Sequence, residues 1–187
     1  NVCVQEGTYQ FSVDLPLHTD SYLVVYQRCC RNESITNIRR PGDVGATYSI
    51  ELTAFAQQVC NSSPVFNSFP PIVICANEDI NYDHSARDPN LTDQLVYRFC
   101  SPIGGGGVDG GPSNPGGDQR SCTGVSPDPA CPPPWDNVMF VAPAYSAGNP
   151  MGGNPQITID NNTGLITGVP IITGQFVVGV CVEEYRN

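Results

Sequence analysis

Nineteen glycines and eighteen prolines punctuate this 187-residue chain, so few stretches run far enough without a breaker to support a stable helix. Apolar residues at helical spacing are nowhere sustained, and only residues 54–59 offer as much as a turn or two. The composition suits short strands joined by many turns, an all-β fold.

Alternation places Tyr9, Phe11 and Val13 on one face of a strand, Tyr48, Ile50 and Leu52 on another, and Ile157 and Ile159 on a third, each predicted to be half-buried. Denser runs of β-branched and aromatic residues at 22–26, 72–74, 95–99 and 176–182 predict the central strands of a sandwich. Stacked turn formers at Cys60-Asn61-Ser62-Ser63-Pro64, then Phe69-Pro70-Pro71, suggest a boundary. The expected organisation is a β-sandwich over residues 1–62, open to completion by a strand from elsewhere, and a second over 63–187. Nine glycines and eight prolines between Ser101 and Trp135 mark a long surface loop inserted in the second.

Nine cysteines without a metal-binding spacing point to an oxidising compartment. The disulfide candidates are Cys3, Cys29, Cys30, Cys60, Cys75, Cys100, Cys122, Cys131 and Cys181, with Cys122 to Cys131 the most local pairing. The odd count, and an opening at Asn1-Val2-Cys3 without a start methionine, are expected of a segment of a longer protein. Formal charge −10 argues against a nucleic-acid partner, because phosphate binding needs clustered Lys and Arg. No apolar run approaches the ~20 residues that span a bilayer, so no direct membrane insertion is expected of this segment.

Several runs resemble large secreted Bacteroidetes surface proteins of the kind that end in a gliding-motility-associated or type IX secretion sorting domain. They are Tyr26-Gln27-Arg28-Cys29-Cys30-Arg31-Asn32, Gly45-Ala46-Thr47-Tyr48, the stretch from Cys60 to Asn67, the stretch from Phe69 to Cys75, His84-Ser85-Ala86, and Asn149-Pro150-Met151-Gly152-Gly153-Asn154-Pro155. The run from Ile157 to Pro170, followed by Thr173-Gly174-Gln175-Phe176, is similar to the end of cadherin-like and immunoglobulin-like repeats, where a turn leads into two sandwich strands. The resemblance implies Ig-like or cadherin-like sandwiches used for display, adhesion or fibre building.

Asp83, Asp88, Asn90 and Asp93 place oxygen donors close together in sequence, a pattern suited to Ca²⁺, and cadherin-like repeats bind calcium through a similar acidic turn. The run Asp88-Pro89-Asn90-Leu91-Thr92-Asp93 departs from the usual Asp-Pro-Asp-Gly-Asp, and a solvated Asx turn is the competing reading. Glycosylation sequons begin at Asn32, Asn61, Asn90 and Asn161. Trp135 and Tyr145 are candidates for stacking on sugar rings or for anchoring the long loop. His18 and His84 have no nucleophile beside them in sequence and are expected at the surface or in turns. Glu6, Glu183 and Glu184 are candidates for a glycosidase carboxylate pair, but the reading preferred is solvated acids at strand ends, so no catalytic residue is assigned and no enzyme is expected.

The expected function is therefore a structural subunit of an extracellular bacterial fibre or surface assembly, secreted or attached at the cell surface. It would self-associate through its sandwiches by strand complementation, with glycans attached. An adhesin module that binds glycans or a neighbouring surface is the alternative.

Overall fold

The computed structural model describes residues 7–28, 31–59, 61–90, 92–104 and 135–186. It is all-β, built of short antiparallel strands grouped in several small sheets, with one 3-10 turn at Pro41–Asp43 as its helical element among the described residues. Residues 54–58 form turns.

β1 (Tyr22–Arg28) and β2 (Ala46–Leu52) form a two-stranded sheet in register from Tyr22 opposite Leu52 to Arg28 opposite Ala46. Both are rich in β-branched and aromatic residues, and the Tyr26 and Tyr48 rings lie 6.2 Å apart across the ladder. At the far end Gln27 donates to the Thr47 hydroxyl, which donates to the Gly104 carbonyl at 2.6 Å. Only this end is buried. Leu23, Val24, Val25, Tyr26, Tyr48 and Ile50 are all exposed, where a central position was expected for 22–26 and a half-buried one for 48–52.

β3 (Val65–Phe66) pairs with β5 (Ala86–Arg87). β4 (Ile80–Asp83), β8 (Leu165–Gly168) and β7 (Thr158–Ile159) make a three-stranded sheet. The longest ladder joins β6 (Asp93–Cys100) to β9 (Gly179–Arg186). Tyr97 of β6, buried, links these sheets: its hydroxyl accepts from the Ala86 amide and donates to the Ala86 carbonyl, and its own amide donates to Asn161. Between β7 and β8 the Asp160 carboxylate accepts from the amides of Asn162 and Thr163 and from the Thr163 hydroxyl, which closes the turn. Gly164 follows at φ 73°, where a Cβ would lie 3.0 Å from the His84 carbonyl and from the Tyr97 ring, so a glycine is needed. The run from Ile157 to Pro170 is thus a turn between two short strands rather than a turn leading into two, and Thr173 to Phe176 form no strand beyond a bridge at Gln175.

The main core cluster is Ile38, Val44 and Val138, flanked by Ile35, Phe140 and Val177. It draws on both sides of the boundary expected near residue 62. Asn37, fully buried beside it, donates to the carbonyls of Pro150 and Val177 and accepts from the Val177 amide, so one side chain pins three segments. Residues 7–18 form no ladder despite their alternation, and Tyr9 is 89% and Phe11 72% exposed. The run 72–74 is likewise exposed and outside any strand.

Candidate functional site

Two places carry potential function: an acidic cluster at the open end of the β6–β9 ladder, and the uncovered apolar surface around β1 and β2.

The β6–β9 register sets Asp93 opposite Arg186, with Glu184 one step away on the same face of the strand. Carboxylate oxygens of Asp88, Asp93 and Glu184 fall within 4.8 Å of one another. The Arg186 guanidinium enters this group. Its Nε donates to Asp93 at 2.9 Å, its Nη2 lies 2.5 Å from Asp93 Oδ2 and 3.8 Å from Glu184, and it also bonds the Asn61 side chain. Hydrogen bonds from Arg186 hold the Asp93 carboxyl down at about 2, whereas burial, then the bond to Asp93, pushes that of Glu184 up.

Of the four sequence candidates for calcium, Asp88 and Asp93 meet here. Asp83 is outside the group, and its carboxylate accepts from the Ser85 amide. The Asn90 side chain accepts from Ser62, and Asp88 accepts from the Asn90 amide, an Asx turn. Asp88 Oδ2 is buried without a hydrogen-bond partner among the described residues. Calcium takes about six to eight oxygens, and a guanidinium already neutralises the strongest acid in the group, so the donor set fits that ion poorly. Glu184 and Arg186 were not foreseen as partners of this site.

Among the sequons, Asn32 and Asn161 are exposed. Asn61 is engaged with Glu184 and Arg186, and Asn90 is half-buried. The Cys100–Cys181 disulfide staples β6 to β9, Cys75 is free and exposed, and the other cysteine candidates, the Cys122 and Cys131 pairing included, lie outside the described residues. Gly179 opposes Cys100, and a Cβ there would come within 2.4 Å of the Cys100 carbonyl, so the staple depends on a glycine partner. Tyr145 packs edge-on against Phe176, and Trp135 is half-buried.

His84 differs from expectation. It is buried, stacked on Phe66 at 4.4 Å and beside Tyr82, with Nδ1 lacking a hydrogen-bond partner, and burial lowers its pKa. The turn-like run around it concealed two aromatic neighbours, Phe66 and Tyr82.

Around β1 and β2 the surface is apolar and open. A groove of about 760 Å³ runs between β2 and β9, bordered by residues 49–51 and 53 on one side and 182–186 on the other, with Phe55, Pro64 and Phe66 adding apolar walls. Beyond β1 the arm 7–17 projects Tyr9, Phe11, Val13, Leu15 and Leu17 into solvent.

No protein-family model and no solved structure matches the chain. Similar proteins include two from Dictyostelium discoideum: Integrin beta-like protein E, 29% identical over 94 residues, and Integrin beta-like protein B, 32% identical over 97. Each alignment takes in 50% of this chain and 5% of the relative, so the chain spans a small fraction of the curated proteins it matches.

Proposed function

We propose that this chain is a structural, non-enzymatic module of an extracellular fibre or surface assembly, and that it associates with further copies through exposed β-structure. The observation that carries the reading is the β1–β2 sheet, whose Leu23, Val24, Val25, Tyr26, Tyr48 and Ile50 are exposed on both of its faces. Apolar patches of that kind on a folded chain mark association surfaces. The Cys100–Cys181 disulfide supports an oxidising, extracellular setting, and similarity to proteins named integrin beta-like supports display at a cell surface. Glycans, where the host adds them, belong on Asn32 and Asn161, whose side chains are exposed.

Sedimentation velocity and electron microscopy of the non-reduced protein over a range of concentrations test the reading. Mass that grows with concentration, with ordered polymers on the grid, is expected. Monomers at every concentration reject it and favour the adhesin alternative, for which glycan binding is then the measurement.

A further inference from the structure

We propose that the arm 7–17 of one copy is the strand that fills the groove between β2 and β9 of a second copy. This rests on the assembly reading above and names its interface.

The arm is built as a strand with one apolar face. Its odd positions carry Tyr9, Phe11, Val13, Leu15 and Leu17, and its even positions Gln10, Ser12, Asp14 and Pro16. Such alternation suits a strand with one side on an apolar floor, yet every residue from 7 to 18 is exposed and none joins a ladder. The root of the arm is tied to the turn at 53–59 instead: Gln57 accepts from the His18 amide and donates to the Asp20 carbonyl, and the Tyr22 hydroxyl donates to Pro16.

The groove offers what the arm lacks. β9 is paired with β6 along one edge, and among the described residues its other edge has no ladder partner. β2 is paired with β1, and its second edge is taken at Thr47 by Ile103 and by no described residue from Tyr48 to Leu52. Two unsatisfied strand edges therefore border a space of mixed lining, with Ile50, Phe55, Pro64, Phe66 and Val182 as its apolar floor and Glu51, Glu183, Glu184 and Arg186 among its polar walls. About five residues of strand, ~17 Å, match its border, and Tyr9 to Val13 supply that length before Pro16 removes a donor. β9 is already committed to β6 through eight residue pairs and a disulfide, whereas the arm makes no ladder among the described residues and is left to donate. Among the described residues both arm and groove stand unused, which makes a second copy the fitting occupant, by strand addition. Because arm and groove are different surfaces, the contact is head-to-tail, and it builds an open polymer where the rotation from copy to copy does not close a ring.

The test uses a Phe11→Asp and Val13→Asp arm variant and an Ile50→Asp and Phe55→Asp groove variant of the whole chain. All four positions are exposed, so the fold tolerates the changes, and circular dichroism checks this. Where the wild type sediments as polymer, each variant alone should sediment as monomer, and an equal mixture should stop at a dimer, one intact arm in one intact groove. A labelled peptide of residues 7–17 should bind the arm variant and lose about tenfold or more in affinity when Ile50→Asp is added. An arm variant that polymerises like the wild type overturns this inference while the assembly reading survives. A wild type that stays monomeric overturns both, as does a monomer whose groove excludes the peptide because its own arm occupies it.

Discussion

His84 shows how a single residue ties stability to pH. Its imidazole is buried against Phe66 and Tyr82 and its pKa is lowered below 6.5, so the unfolded chain binds the proton more readily than the folded one. Stability is complete above about pH 6.5 and falls as the pH drops below it. His84→Phe keeps the stack, removes the unpartnered nitrogen and should abolish that step in urea midpoints measured from pH 7.5 to 5. Arg186 works at lower pH. It holds Asp93 at about 2, below the unfolded value, so its contribution is present above about pH 4 and is lost as the pH falls toward 2. Arg186→Gln leaves three carboxylates without their guanidinium and should lower the melting temperature at neutral pH. Millimolar calcium should raise the melting temperature of that variant and leave the wild type unchanged, read by differential scanning fluorimetry.

At the scale of elements, the β6–β9 ladder depends on its staple. The Cys100–Cys181 bond closes a loop of 81 residues in sequence, and replacing both cysteines by alanine should cost about 4 kcal/mol in denaturant unfolding. Both strands of this ladder were legible in the sequence as β-branched and aromatic runs, and so was β1. What the pattern misjudged was cover: periodicity reports which side chains share a face, not whether another element lies over that face. Tyr9, Phe11 and Val13 alternate like a half-buried strand, but a strand also needs an edge to pair with, and among the described residues this segment is paired with none. Residues 72–74 are apolar for their length yet follow Pro70-Pro71, which offers no ladder donor. Asp88 and Asp93 were readable as neighbours because they are five residues apart. Glu184 and Arg186 were not, because only the register of β6 against β9 brings Arg186 across 93 residues to Asp93.

For the whole molecule, charge sets the terms of self-association. Copies carrying −10 each repel, and lowering salt from 0.1 to 0.01 M extends that repulsion from about 10 to about 30 Å. Assembly driven by apolar strand contact should therefore strengthen as salt rises toward physiological levels, seen as greater scattered intensity at fixed protein concentration. Weakening with salt would mark an interface of ion pairs instead.

The staple between β6 and β9 also has a mechanical meaning. Antiparallel strands peeled from a single end lose their hydrogen-bond pairs in succession, like a zip, and resist little. Cys100 and Cys181 lie at the end of the ladder opposite Asp93 and Arg186, so a pull that starts at Arg186 must stop at the covalent link. The wall of the groove can loosen under load without leaving the body of the protein, and a reducing environment would remove that limit.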